Sequence, residues 1–383
     1  MDTHESDAML DKQRKKEYNE KNHEGGIGMK RNGSIDYLKF LFSIVIVLYH
    51  YGLGFWGGYI VVEGFFMITG YLMIGSLMRN RSEGELPADS TAKFVLHKYS
   101  EIFWPLLFSA ISGFLIWEFL IYEHTAELAF TRIPYLLFEV FPVQVAGFSG
   151  FWATGVSWYL SAMLIAVALI HPFAKKDPLR FSYTVAPIAS ILLYGFLCYH
   201  FGNLDLSNSW VLDGLLNGAL LRAVADICAG CILWCLVHRA KEKISMGMRI
   251  FYTVAELAGL WYLFQTITTQ GKARTWEDFI LAALIFGVLY LALSGKTLFS
   301  LIPANPVSRA MATISTYIYL NHYAWNIYFD QTYADRTQEE MLGWYILCVA
   351  ASSLAAWGLT KLTSWGIRTV KRRKTEKAAV SLN

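Results

Sequence analysis

IDYLKFLFSIVIVLYHYGLGFWGGYIVVEGFFMITGYLMIG, residues 35–75, decides the fold. Two apolar runs flank a short turn containing Gly52, Gly54, Gly57 and Gly58. A membrane-spanning helix needs about 20 predominantly apolar residues, and each run supplies that length. The pattern predicts a helical hairpin that bends near Phe55 to Gly57. His50 closes the first run and Glu63 opens the second, so both are expected about two helical turns below one membrane face. Ionisable groups at that depth are costly in hydrocarbon and point to chemistry by default.

The rest of the chain has the same character. Of its 383 residues, 55% are hydrophobic and only 16% are charged, against about 25% charged in soluble domains. Mean hydropathy is +0.36. The 13 Trp and 22 Tyr suit rings placed at membrane interfaces. The expected fold is an all-α membrane bundle of ten transmembrane helices near 35–53, 59–78, 101–121, 152–173, 183–201, 215–237, 250–268, 277–294, 310–329 and 341–361. Lys and Arg concentrate in the N-terminal arm, in every second connection and in the C-terminal tail (Arg79, Lys98, Lys175, Arg180, Arg239, Arg249 and Arg309 among them). The intervening connections carry acidic residues such as Glu123, Asp205, Asp278 and Glu340. By the positive-inside rule both termini are cytoplasmic and the His50/Glu63 hairpin faces outward, which places the chain in a plasma or inner membrane.

Three regions follow. Residues 1–33 form a polar, basic arm expected to be disordered, 34–370 one membrane domain, and 371–383 a basic cytoplasmic tail. About 33 polar residues precede the first apolar run, so no cleavable signal is expected. The net charge of +3 comes from dispersed basic residues, which argues against a nucleic-acid partner and leaves the lipid bilayer as the general one. Cys228, Cys231 and Cys235 share one helix face without a second ligand cluster. They read as small packing residues, and no metal is expected.

His50 with Glu63 could deprotonate a hydroxyl nucleophile, the carboxylate orienting the imidazole, or could relay protons in a transporter. Periodicity leaves both open. His322 lies within ISTYIYLNHYAWNIY (314–328), about 20 Å from the inner end of its helix near Arg309. Arg222 precedes Asp226 by one turn and reads either as an i,i+4 ion pair or as a fixed positive charge facing a cavity. KFVLHKYSEIFWP (93–105) carries Lys93, His97 and Lys98. With Arg79 and Arg81 these could bind phosphates or simply mark the cytoplasmic face. The pattern from His200 to Asp205 matches a short acyltransferase motif but lies on the wrong face and lacks a companion.

Several of these segments resemble the acyltransferase 3 family of bacterial membrane acyltransferases. Asp36, Lys39 and His50 in IDYLKFLFSIVIVLYH fall on that family's first-helix pattern, and VVEGFFMITGYLM resembles its second signature. The basic segment ending at Pro105 and the stretches 157–173, 221–230 and 314–322 follow in order. The resemblance implies transfer of an acyl group, usually acetyl, from cytoplasmic acyl-CoA to a hydroxyl, commonly on an extracytoplasmic glycan. His50 inherits the role of essential histidine, as base or as transient acyl carrier. Asp36, Lys39, Lys98, Arg222 and His322 inherit substrate-binding positions. Acetyl-CoA is then the donor substrate, and polysaccharide-assembly machinery is an implied partner. One departure stands out: the second basic position before Pro105 is here Glu101 or Ile102, leaving Lys93 and Arg81 as alternatives. The competing class is a transporter or flippase of a glycan or lipid intermediate.

Overall fold

The computed structural model describes residues 33–82, 91–148, 153–207, 209–239, 244–271 and 274–380. Among the described residues ten helices of 16 residues or more succeed one another. They are α1 Gly33–Tyr51, α2 Val62–Ser82, α3 Thr91–Leu115, α4 Trp158–Ala174, α5 Ala186–Phe201, α6 Gly218–Arg239, α7 Met246–Thr269, α8 Glu277–Leu293, α9 Pro306–Thr332 and α10 Gln338–Val380. Each overlaps one of the apolar runs read from the sequence. Among the described residues six stretches are long and apolar enough to cross a membrane: Gly33–Tyr51, Gly58–Arg79, Thr91–Ile121, Pro178–Phe201, Gly218–Arg239 and Gln338–Val370. The protein is an all-α membrane protein. α9 has the length but lacks the hydropathy, because its interior carries Ser315, Asn321 and His322.

The helix ends follow local chemistry. Asn305 caps α9 in a reciprocal capping box with Ser308, and Pro306 occupies the first helical position. Asn305 Nδ2 also donates to the Tyr37 hydroxyl at 3.2 Å, and Ser308 Oγ donates to Asp36 Oδ2 at 3.1 Å. α1 and α9 thus begin side by side and run in parallel from the same end.

α2 and α6 form the centre of the bundle, with α4 and α5 laid on α6 and α10 on α9. The α2–α6 contact is backbone on backbone. A Cβ on Gly70 would sit 2.0 Å from the Ile227 carbonyl oxygen, and one on Gly230 2.0 Å from that of Met67. In lipid, such close approach by small residues is what holds helices together. Cys231 lies in the same seam, its Sγ 3.9 Å from the Gly70 carbonyl. Cys228 and Cys235 are buried beside it, as small apolar residues would be.

The connection between α3 and α4 returns into the bundle instead of staying outside. Ala153, Thr154, Val156 and Ser157 are buried. Ala153 sits on Gly113 of α3, and Gly155, at φ +67°, lies under the Tyr323 ring of α9. At the other end of the chain, α10 continues as helix to Val380, through most of the basic tail. No Gly or Pro interrupts residues 367–380, and Lys, Arg, Glu and Ala favour helix. The N-terminal arm, except for its last residue Gly33, lies outside the described residues.

Candidate active site

Four positions on α1 lie along one stripe: Lys39, Ser43, Ile46 and His50. Steps of three and four residues keep them on one helix face, and Lys39 lies about 16 Å from His50 along the axis. α9 presents a matching stripe of Ser308, Ser315, Tyr319 and His322. Because the two helices run in parallel, their upper residues meet as their lower ones do. His322 Nε2 lies 3.0 Å from His50 Nδ1, at the same offset of 272 residues as Ser308 from Asp36.

The hydrogen bonds assign the tautomers. His322 Nδ1 is 2.7 Å from the Tyr319 carbonyl, which can only accept, so that nitrogen carries the proton. Its Nε2 is therefore an acceptor and faces His50 Nδ1. His50 Nδ1 also lies 3.0 Å from the Ile46 carbonyl, so it too carries a proton, shared between two acceptors. The remaining nitrogen, His50 Nε2, keeps a lone pair. His322 is fully buried, whereas His50 is only partly so. Tyr323 meets the His50 ring edge-on at 5.3 Å, and Tyr49 lies 4.8 Å away on another side. Tyr49 in turn is tied to the neighbouring connections: Arg274 donates to its hydroxyl at 3.2 Å, to the Trp56 carbonyl at 3.1 Å and to Asp205 at 2.9 Å.

A cavity of about 200 Å³ approaches this pair from the other side. At its exposed end stand Lys39, Lys98 and Glu101; at its inner end stand Phe65, Tyr159 and Tyr319. α2 contributes Phe65, Thr69 and Leu72, again at helical spacing. The two lysines expected to bind substrate thus both line the cavity, Lys39 from α1 and Lys98 from α3. Glu101, at the position where a second base was expected, accepts from Lys98 at 3.3 Å. Arg81 lies outside the residues whose side chains are described, and Lys93 is exposed and off the cavity wall.

The structure changes three expectations. Glu63 does not orient His50. It is fully buried and takes two hydrogen bonds from Arg222, one from Nε at 2.9 Å and one from Nη2. The reason is angular: Glu63 precedes Phe65 by two residues, about 200° around α2 from the cavity face, and so points to α6. Arg222 consequently does not face the cavity. Its Nη2 also donates to the Tyr59 carbonyl at 3.0 Å, and its plane lies 5.9 Å over Trp158. Asp226, the expected i,i+4 partner, accepts from the Tyr194 hydroxyl instead. Asp36 is buried and ties α1 to α9, and it does not line the cavity.

His322 was read alone, and its pairing with His50 was not foreseen. The signal was present: Asp36 to His50 and Ser308 to His322 are each fourteen residues, close to four turns. Phe65, Tyr159 and Tyr319 were missed because aromatic residues are abundant throughout the chain.

Neither the curated proteins nor the solved structures contain a match to this chain. The family described as acyltransferase domain matches residues 32–361, which takes in α1 to α9 and more than half of α10. The chain belongs to the acyltransferase 3 family of membrane acyltransferases.

Proposed function

We propose that this protein moves a short acyl group, acetyl foremost, from cytoplasmic acyl-CoA to a hydroxyl of a cell-surface or lipid-linked glycan. All ten long helices cross the plasma or inner membrane in this reading, with both termini in the cytoplasm. The single observation that carries it is the histidine pair lying one ring beyond a cavity lined by Lys39 and Lys98, with Tyr319 on the cavity wall 6.0 Å from His322. CoA is too large and too highly charged to cross a bilayer. Its phosphates stay at the lysines, which attract them as fixed positive charges. The thioester arm alone rises along the cavity.

At the inner end the acceptor hydroxyl approaches His50. Its oxygen bonds to the thioester carbonyl carbon as its proton passes to His50 Nε2. The imidazolium that forms is stabilised through Nδ1–H, which donates to His322 Nε2, much as a carboxylate steadies histidine in a hydrolase triad. Collapse of the tetrahedral intermediate breaks the carbon–sulfur bond. The departing thiolate takes the proton back from His50, leaving an ester and free CoA thiol.

Membrane vesicles with the cytoplasmic face outward, given acetyl-CoA labelled in the acetyl group, test this. Label should enter glycan in wild-type vesicles and fail to do so with His50→Ala at equal protein level. Retained transfer in that variant overturns the assignment. A transporter would instead move its cargo in vesicles lacking acyl-CoA, which the same preparation reveals.

A further inference from the structure

The cavity stops short of the histidines. Its lining includes Phe65, Tyr159 and Tyr319 but neither His50 nor His322. The three rings contact one another in a closed triangle. Phe65 and Tyr159 lie 5.9 Å apart edge-on, Tyr159 and Tyr319 5.8 Å apart edge-on, and Phe65 and Tyr319 6.4 Å apart. The triangle draws on α2, α4 and α9, one ring from each. Tyr319 is its fixed corner: its hydroxyl donates to the Val156 carbonyl of the returning segment at 3.0 Å. On its far side the Tyr319 ring faces His322, with centroids 6.0 Å apart. The barrier between cavity and imidazole is therefore a single layer of rings.

Phe65 differs from its partners. Tyr159 is equally half-buried, but its hydroxyl reaches Met163 Sδ at 4.0 Å; Phe65 has no polar group to anchor it and leans edge-on against Phe42 at 6.0 Å. A thioester carbonyl that reaches His50 must pass this layer. The atoms that pass with it are those of the acyl chain, and each added methylene needs room that interlocked rings do not offer. We propose that Phe65, Tyr159 and Tyr319 are the acyl-length selector of this protein, a ring gate that admits acetyl and excludes longer chains, with Phe65 as its movable leaf. This deepens the transferase reading and rests on it.

Direct binding separates the two. Purified protein in lipid nanodiscs is titrated with acetyl-CoA and with hexanoyl-CoA, and the affinity ratio is compared between wild type and Phe65→Ala. Wild type should prefer acetyl-CoA by about tenfold or more. The variant should move the ratio toward hexanoyl-CoA by at least about tenfold, since four buried methylenes then find apolar space. Phe65→Leu should fall between them and carries the test if the alanine variant does not yield monodisperse protein. Equal wild-type affinities, or a ratio unmoved in both variants, overturn the gate while leaving the transferase intact. A wild type that binds neither donor overturns the transferase reading itself, and the gate with it. General loosening of the bundle would weaken both donors alike and leave their ratio unchanged.

Discussion

His322 gives its Nδ1 proton to the Tyr319 carbonyl at 2.7 Å and leaves Nε2 to receive a proton from His50. It touches the base and sits behind the ring layer, so it acts by positioning. Replacing it with alanine leaves the Ile46 carbonyl to hold His50 Nδ1 but removes the group that shares the developing positive charge. The expected result is a fall in kcat of about a hundredfold with donor KM little changed. Glutamine can accept from His50 Nδ1 and should recover part of the loss. Steady-state kinetics of both variants, with His50→Ala as the floor, check this ordering. The residues also show where reading a sequence stops. His50 was legible from its place at the end of the first apolar run, and Lys39 from the family's first-helix pattern. The His50–His322 contact joins segments 272 residues apart, and local spacing carries no such information until the helices are known to run in parallel.

At the scale of the elements, Glu63 and Arg222 pair across the α2–α6 seam. Both are buried in the bundle, and each would leave a bare charge if the other were removed. Glu63→Leu or Arg222→Met alone should cost about 3–5 kcal/mol, while the double variant should regain most of that. Thermal unfolding in nanodiscs measures the three, and no recovery in the double variant contradicts the reading. The matched depth of His50 and Glu63 suggested a dyad from the sequence. Spacing carries no direction, because rotation about the helix axis depends on what packs on each side. Gly70 and Gly230 draw α6 against α2 and so decide which way Glu63 faces.

For the whole molecule, the segment between α3 and α4 ties the outer face to the core. Glu139 is buried there and accepts from the amide and hydroxyl of Thr154. Burial pushes its carboxyl above the ordinary range, against the pull of those donors. A raised value means the folded state holds this proton more tightly than the unfolded chain. The stability it confers is complete below the ordinary glutamate value of 4.5 and is lost as pH rises through the raised one. Glu139→Gln keeps an acceptor for Thr154 without a proton to lose. Its melting temperature should fall less between pH 5 and pH 8 than that of wild type, and equal slopes would refute the assignment. The apolar runs and their order were legible in the sequence, since hydrophobic length alone sets them. That 153–157 lie within the expected span yet are not helical was not, because their packing depends on Gly113 and Tyr323, which are distant in the chain.

The two imidazoles stand near opposite ends of the polypeptide, on the first and ninth long helices. A nascent chain leaving the ribosome therefore carries His50 through most of its synthesis without its counterpart. A fragment released before residue 322 carries Lys39 and Lys98 but lacks the second imidazole. The pair therefore forms only after the ninth long helix has been inserted against the first.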